Sequence, residues 1–400
     1  MGKKEKSSVE SNSFAENVFP HTPVVFEPRS FQYIPTYVSP IALPETNARL
    51  LGIYNQGNTS GFEPLGQLIS PLGISRDIRL HDSQSGKNFS VGGIGLTTVN
   101  DGQISVKDPR PDLTVEQYVG MFLDDPHAMT TLIIDEEGNL ISKKNATPVG
   151  AYTIEGAEKK RQNTQTAERF LSGVALVPQV ELICTDATLG LAGFVTSAPS
   201  QVFPAELVEQ IGLNRLKGKK NHEKTAQTVF TRSLADLSRA LCILHIQGFV
   251  HNQPSGNWGT VISGSEVSII LRDWATMQDI RNHNKTPMKE VKAFIIPITA
   301  QELARLSDVA HLIAGVEKYL LFLQNIPTDE KGRLALKDLF FKLRSQIPWL
   351  ILRAYKQEKL SDRDLSPKGE SPDIFLNTTI YNTLLDGLHL KIKNLPVNKD

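Results

Sequence analysis

Three side chains between residues 251 and 273 have the chemistry needed to hold a cation beside phosphate. His251 and Asn257 lie in the stretch His-Asn-Gln-Pro-Ser-Gly-Asn-Trp, and Asp273 follows in Arg-Asp-Trp. A hard cation such as Mg²⁺ prefers oxygen ligands and neutralises phosphate charge during group transfer. An amide oxygen and a carboxylate on adjoining loops, as at Asn257 and Asp273, can supply those ligands.

Each of these residues also has a purely structural explanation. His251 could be a loop histidine whose hydrogen bonds are satisfied, Asn257 a turn residue, and Asp273 a cap at the end of a strand. Their joint appearance after a long helix, with a strand pair between them, favours the functional interpretation. We therefore treat 234–276 as one candidate nucleotide and metal centre.

The elements around this centre are predicted from periodicity. Residues 222–247 read as a long helix with one apolar face, and 258–271 read as a strand pair. The helix ends where the loop containing His251 begins, and the strand pair separates Asn257 from Asp273. The loop and Asp273 are therefore expected to meet at one end of these elements.

The segment Leu244-His245-x-x-Gly248-Phe249-Val250-His251 resembles the start of the catalytic loop in protein kinases. The resemblance implies that His251 matches the first histidine of that motif and Asn257 its metal-binding asparagine. Arg272-Asp273-Trp274 stands where kinases carry Asp-Phe-Gly, which implies that Asp273 is the main Mg²⁺ ligand and that ATP is the nucleotide.

The loop departs from the kinase pattern at its chemical centre. Gln253 takes the place of the catalytic aspartate, the loop is one residue short, and no carboxylate lies between His251 and Asn257. The catalytic-loop candidates His251, Asn252 and Gln253 therefore include no general base of the usual kind. Two alternatives follow: a pseudokinase that binds nucleotide, or an enzyme with a variant mechanism.

Partners for the phosphates are sought in the N-terminal half. The run Val91-Gly92-Gly93-Ile94-Gly95 could be a loop whose backbone N–H groups hold phosphate, although a simple β-turn explains it as well. The phosphate-pairing lysine is then expected on the next strand, at Lys107.

Lys144, or its neighbour Lys143, is a rival for the same role. Glu168 is the expected ion-pair partner on the helix at 155–171, with Glu158 as the second choice. Either lysine could instead be a solvated charge at the end of a strand.

The stretches 139–148 and 166–178 are also similar to the selenoprotein O family, relatives of kinases with an irregular catalytic loop. That resemblance implies transfer of AMP rather than of a phosphoryl group.

The order of predicted elements indicates an α+β fold with two lobes. Ahead of these lobes we expect a disordered tail (1–20) and an extended proline-rich arm (21–84). The kinase-like N-lobe is expected at 85–198, with strands near 85–107, 130–144, 180–184 and 191–196. The helical C-lobe is expected at 199–400, with helices at 204–211, 222–247, 299–324, 334–357 and 374–392.

Composition narrows the classes of partner. Lys and Arg together number 43, as do Asp and Glu, so no global charge favours nucleic acid. Cys184 and Cys242 lack metal-ligand spacing and suggest reduced thiols in the cytoplasm. No apolar run is long enough for a membrane span. We expect a protein that binds ATP and Mg²⁺ and passes a group to a protein or small-molecule hydroxyl. The alternatives are an inactive pseudokinase and an unrelated α+β binding protein.

Overall fold

A computed structural model describes residues 24–29, 31–65, 74–100, 103–114, 117, 131–143, 147–285 and 299–355. The predicted tail at 1–20, Lys144 and the helix predicted at 374–392 lie outside the described residues. Within these ranges, no helix is both long and apolar enough to cross a membrane.

The N-terminal half is built around a nine-stranded sheet in which β6, β5, β13 and β12 are central. Strands β3 and β4 extend it beside β5, β11 pairs with β13, and the four shorter two-stranded sheets lie outside it. The strands are β1 Val24–Phe26, β2 Ile34–Val38, β3 Phe62–Leu65, β4 Ile74–Asp82, β5 Lys87–Asn100, β6 Gln103–Lys107, β7 Arg110–Thr114, β8 Thr131–Ile134, β9 Leu140–Lys143, β10 Pro148–Val149, β11 Tyr152–Thr153, β12 Gln179–Asp186, β13 Leu191–Ala198, β14 Phe249–Val250, β15 Trp258–Ser263, β16 Glu266–Leu271 and β17 Gln278–Asp279.

The helices begin and end at recognisable signals. The Thr153 hydroxyl accepts a hydrogen bond from Gly156 N at the start of α2 (Ile154–Leu171), and a capping box joins Thr299 and Glu302 at the start of α5 (Ala300–Asn325). The described helices are α1 Pro44–Gln56, α2 Ile154–Leu171, α3 Pro204–Leu216, α4 Lys220–Ile246, α5 Ala300–Asn325 and α6 Glu330–Tyr355.

The predicted fold class is confirmed: a strand-rich N-terminal part is followed by a mainly helical C-terminal part, in the order expected of a kinase-like two-lobed α+β fold. One apolar core is formed by the sheet and α1. A larger one contains residues of α3, α4, α5 and α6 and of the strand pair β15–β16. The predicted strand pair at 258–271 is present and is antiparallel.

The predicted extended arm differs from the structure in its local conformation. Residues Pro44–Gln56 form α1, which buries Leu50 and Ile53 against the sheet. Strand β1 pairs with β6, and β2 pairs with β12. Proline content suggested an open arm, but Pro44 stands in the first turn of α1, where its missing N–H costs nothing.

Candidate active site between the sheet and the helices

A cavity of about 940 Å³ is lined by residues from both halves of the chain. Strands β4, β5 and β13 contribute from the sheet, and α2, β15 and the segment after β16 contribute from the other side. Its volume is that of a site for a cofactor-sized molecule. Its lining includes six charged side chains that form the candidate site: Arg76, Asp77, Arg79, Lys160, Arg272 and Asp273.

Lys160 and Asp273 form an ion pair across this cavity. The Nζ of Lys160 lies 3.1 Å from Oδ1 of Asp273 and donates a hydrogen bond to the Tyr152 hydroxyl at 3.0 Å. The Arg76 guanidinium stacks on the same Tyr152 ring, 4.1 Å from its centroid. The lysine side chain is 13% exposed and that of the aspartate 31% exposed, so the carboxylate opens onto the cavity.

The electrostatics of this group favour its charged form. Burial acts to raise the pKa of Asp273, but the charges of Lys160 and Arg76 outweigh it and lower the pKa to about 2. Burial likewise acts to lower the pKa of Lys160, and Tyr152 and Asp273 overcome it so that the pKa rises above its usual value. Asp273 is therefore ionised at neutral pH, the form in which a carboxylate can serve as an oxygen ligand.

An irregularity in the pairing of β4 with β5 brings Arg76 to the cavity. Ser75 pairs with Thr97 and Asp77 with Gly92, so Arg76 lies opposite a bulge formed by extra residues of β5. Successive side chains of a regular strand point to opposite faces, which would place Arg76 away from Asp77 and Arg79. The bulge lets all three line the cavity, the kind of redirection for which bulges are used near functional sites.

The loop that follows α4 is fixed by Asp308 of α5. Its carboxylate accepts hydrogen bonds from the backbone N–H groups of His251 and Asn252, both at 2.8 Å. It also contacts Nε2 of His245 at 3.0 Å. Asp308 is fully buried, and these contacts hold the pKa of its carboxyl below the usual value despite the opposing effect of burial.

The ring of His251 is buried, and both of its nitrogens make hydrogen bonds when the ring is neutral. Gln253 N lies 3.3 Å from Nδ1, and Nε2 lies 2.9 Å from the carbonyl oxygen of Arg272. The ring packs on Trp274 with centroids 4.8 Å apart. Burial lowers the pKa of His251, and the neutral tautomer satisfies both nitrogens. His251 therefore joins the loop to the segment that carries Asp273.

Two non-glycine residues of the described chain have left-handed backbone conformations, and both belong to this centre. They are Asn252, with φ of 68°, and Asp273, with φ of 56°. The Asn252 side chain donates to the Thr276 carbonyl at 2.8 Å, and its backbone N–H is held by Asp308. Such conformations cost free energy and cluster at functional sites, where surrounding contacts maintain them.

Asn257 and Asp273 both line the cavity, as the metal prediction requires. Asn257 donates Nδ2 to the Gln253 carbonyl at 2.9 Å, which leaves its side-chain oxygen as the acceptor end of the amide. Among the described residues, no group of three or more His, Cys, Asp and Glu side chains could hold a metal alone. One carboxylate and one amide fit a Mg²⁺ ion that takes its other ligands from water and phosphate.

The predicted glycine loop is placed differently from the prediction. Gly92, Gly93 and Gly95 lie inside β5 rather than in a loop, and they are absent from the cavity lining. Gly93 and Gly95 have φ of 77° and 137°, and a Cβ at Gly95 would lie 1.9 Å from the Lys107 carbonyl oxygen. The glycines let β5 bend and pack closely, which a sequence pattern cannot distinguish from phosphate binding.

The predicted lysine and glutamate are not brought together either. Lys107 is exposed on β6, and Glu168 is exposed near the end of α2. Lys144 lies outside the described residues. The second-choice Glu158 forms an ion pair with Arg161 instead. A helix was expected to supply the glutamate of the ion pair and a strand its lysine. In the structure, α2 supplies the lysine, Lys160, and the carboxylate belongs to Asp273.

Lys160 and Arg76 are the residues that sequence reasoning missed. The buried positions of α2 are Ala157, Thr164, Ala167 and Leu171, and Lys160 falls on the same helical face. A lysine on a buried face is rare unless it is paired, so this spacing was a usable signal. Arg76 gave no signal, because the bulge that redirects it is not visible in the sequence.

Comparisons with known proteins give a weak likeness. No family model and no curated protein matches the chain. A Toxoplasma gondii rhoptry antigen kinase domain is similar at 11% identity and a TM-score of 0.34, over 81% of this chain and 83% of that one. The maize SIRK1 kinase domain bound to AMP-PNP is similar at 10% identity and a TM-score of 0.32, over 89% and 100%. TM-scores this low leave the site to be judged on its own geometry.

Proposed function

We propose that this chain binds ATP together with Mg²⁺ in the cavity beside the Lys160–Asp273 ion pair. The observation that carries the proposal is this partly buried pair, with Arg76 beside it, at the wall of a cavity large enough for a nucleotide. Lys160 and Arg76 supply positive charge for phosphate oxygens, and Asp273 with Asn257 supplies oxygen ligands for the cation.

Group transfer is possible in this arrangement without the usual base. Phosphoryl transfer depends mainly on positioning and on neutralising phosphate charge, and a general base adds about 10²–10⁴-fold. A hydroxyl oxygen would attack the γ- or α-phosphorus of ATP and displace ADP or pyrophosphate. The hydroxyl proton would pass to solvent, since the loop 251–257 has no carboxylate. The expected activity is therefore slow.

A non-catalytic role is the second candidate, favoured by that same loop. His251 and Asn252 are buried and hydrogen-bonded inward, so neither side chain is placed to accept a proton from a hydroxyl. A pseudokinase of this kind would use bound nucleotide to stabilise a surface for a partner protein.

Nucleotide binding is tested by thermal unfolding with ATP, with and without Mg²⁺. A ligand at one hundred times its Kd adds about 2.7 kcal/mol to the free energy of unfolding. We expect stabilisation of the wild type, a much smaller effect for Lys160→Gln and Asp273→Asn, and a wild-type response for the control Arg281→Gln. Arg281 forms an exposed ion pair with Asp279, outside the cavity lining. Absence of stabilisation by any nucleotide would favour an unrelated α+β binding protein.

The reaction is tested with ATP labelled separately at its α- and γ-phosphates. Covalent label from the γ-position identifies a kinase, and label from the α-position identifies AMP transfer, as the selenoprotein O resemblance implies. No transfer of either label by a protein that binds ATP identifies the pseudokinase. Asp273→Asn is expected to abolish either transfer, because it removes the charged metal ligand.

A further inference from the structure

Arg272 is a partly buried cation that lines the cavity without a hydrogen-bonded carboxylate partner. Its Nη2 donates only a long hydrogen bond of 3.5 Å to the Trp258 carbonyl, and its Nε is buried without a hydrogen-bond partner. No carboxylate oxygen of the described residues lies within 4.0 Å of its guanidinium. A positive charge that is partly removed from water and has no hydrogen-bonded counter-charge is costly, so Arg272 favours the binding of an anion.

Arg79 brings a second guanidinium to the same wall of the cavity. The guanidinium carbons of Arg79 and Arg272 lie 4.4 and 4.5 Å from the centroid of the Phe203 ring. Because both distances refer to one centroid, the two carbons are no farther apart than the sum of these distances. Two like charges thus pack against one aromatic ring.

The nearby carboxylates are engaged elsewhere. Glu206 accepts a hydrogen bond from Phe203 N at 2.8 Å as part of the cap of α3, and Asp77 accepts one from the Ser90 hydroxyl at 3.3 Å. Both carboxylates act to raise the pKa of Arg79 against the larger, opposing effect of burial. These carboxylates compensate Arg79 in part. Asp77 and Asp273 also act on the charge of Arg272, but the guanidinium of Arg272 makes its hydrogen bond to a carbonyl oxygen and not to a carboxylate.

We propose that Arg272, assisted by Arg79, binds a phosphate group at a subsite distinct from the Lys160–Asp273 pair. The planar fork of a guanidinium matches two phosphate oxygens, and the bond is strengthened by charge on both partners. The phosphate belongs either to the nucleotide itself or to a second, phosphorylated ligand. The first source rests on the proposed function, whereas the second does not.

The test is isothermal titration of the full chain with pyrophosphate. Arg272→Gln is expected to weaken binding by about tenfold or more, the loss expected for a charge-assisted hydrogen-bonding pair. Arg272→Lys keeps the charge without the fork and is expected to fall between the two. The control Arg281→Gln removes an arginine that also lies over an aromatic ring, Phe249 at 5.1 Å, but away from the cavity. It should bind as the wild type does.

A second titration, into protein saturated with ATP and Mg²⁺, separates the two sources. Pyrophosphate binding that persists and still depends on Arg272 identifies a second phosphorylated ligand, and loss of binding by competition identifies a phosphate of the nucleotide. Equal affinity of the wild type and Arg272→Gln for pyrophosphate, or no binding by either, overturns the proposal. If pyrophosphate binds through Arg272 while ATP does not bind at all, the proposed function fails and the phosphate subsite stands.

Thermal unfolding of Arg272→Gln without any phosphate shows whether the variant is correctly folded. Because the unpaired charge is unfavourable in the empty cavity, Arg272→Gln should unfold at the wild-type temperature or above it. A pronounced loss of stability would show that Arg272 is structural, which also contradicts the proposal.

Discussion

The loop at 251–257 and the glycine run of β5 both contain left-handed backbone, but the two regions maintain it in opposite ways. In the loop, Asn252 adopts this conformation despite its side chain, and Asp308 holds the adjoining N–H groups. In β5, Gly93 and Gly95 adopt it without steric cost, and close backbone packing excludes any side chain.

The difference shows how positive φ that strains the backbone beside a cavity can be distinguished from positive φ that allows close packing. Asn252 and Asp273 keep strained conformations in the segment that borders the cavity, where polar contacts from other elements fix them. The glycines of β5 avoid strain and do not line the cavity. Strain that is held by polar contacts beside a cavity is typical of functional sites, whereas positive φ at glycine is typical of close packing.

The largest expected effect comes from removing the anchor of the loop. Asp308→Ala leaves the N–H groups of His251 and Asn252 and the ring of His245 without their acceptor, so we expect a loss of about 3–5 kcal/mol in the free energy of unfolding. Urea denaturation measures this loss. Asp338→Ala, at an exposed position of α6, is the control and should be nearly neutral. Equal stability of the two variants would contradict the anchoring role.

A smaller effect is expected from Gly95→Ala, which tests the packing side of the comparison. The new Cβ would combine an unfavourable φ with overlap against the Lys107 carbonyl oxygen, at a cost of about 2–4 kcal/mol. Gly264 has a φ of 61° with no atom near its Cβ position, so Gly264→Ala should cost only about 1 kcal/mol. Thermal or urea unfolding of both variants gives the difference. Similar costs at the two positions would show that close packing does not explain Gly95.

The smallest effect concerns the charge of Asp273 and is read from its pH dependence. Its pKa of about 2 in the folded chain lies below its value in the unfolded chain, so the stabilisation is present above about pH 4 and is lost as pH falls towards 2. Asp273→Asn should be less stable than the wild type at neutral pH by about 2 kcal/mol. This difference in the free energy of unfolding should disappear as the pH falls from about 4 to about 2. If the difference in the free energy of unfolding stays constant across this range, the Lys160–Asp273 pair is not its cause.

Sequence reasoning named two residues that line the cavity, Asn257 and Asp273, and did not name Lys160 or Arg76, for a physical reason. Asn257 and Asp273 belong to segments whose spacing is fixed by a helix and a hairpin, so their approach to one cavity could be anticipated. The glycines, Lys107 and Glu168 depended on how a long strand bends and on which way a helix turns its charged face. Neither property is local, because both are decided by packing against other elements.

By itself, the sequence determined the order of the elements, the α+β class and the position of the loop around His251, because hydrophobic periodicity and turn residues act over short distances. Only the tertiary structure decided that Lys160 meets Asp273, that a bulge in the pairing of β4 with β5 brings Arg76 to the cavity, and that Arg272 has no hydrogen-bonded carboxylate. These contacts join segments far apart in the chain, and their charges take effect only once burial has removed the surrounding water.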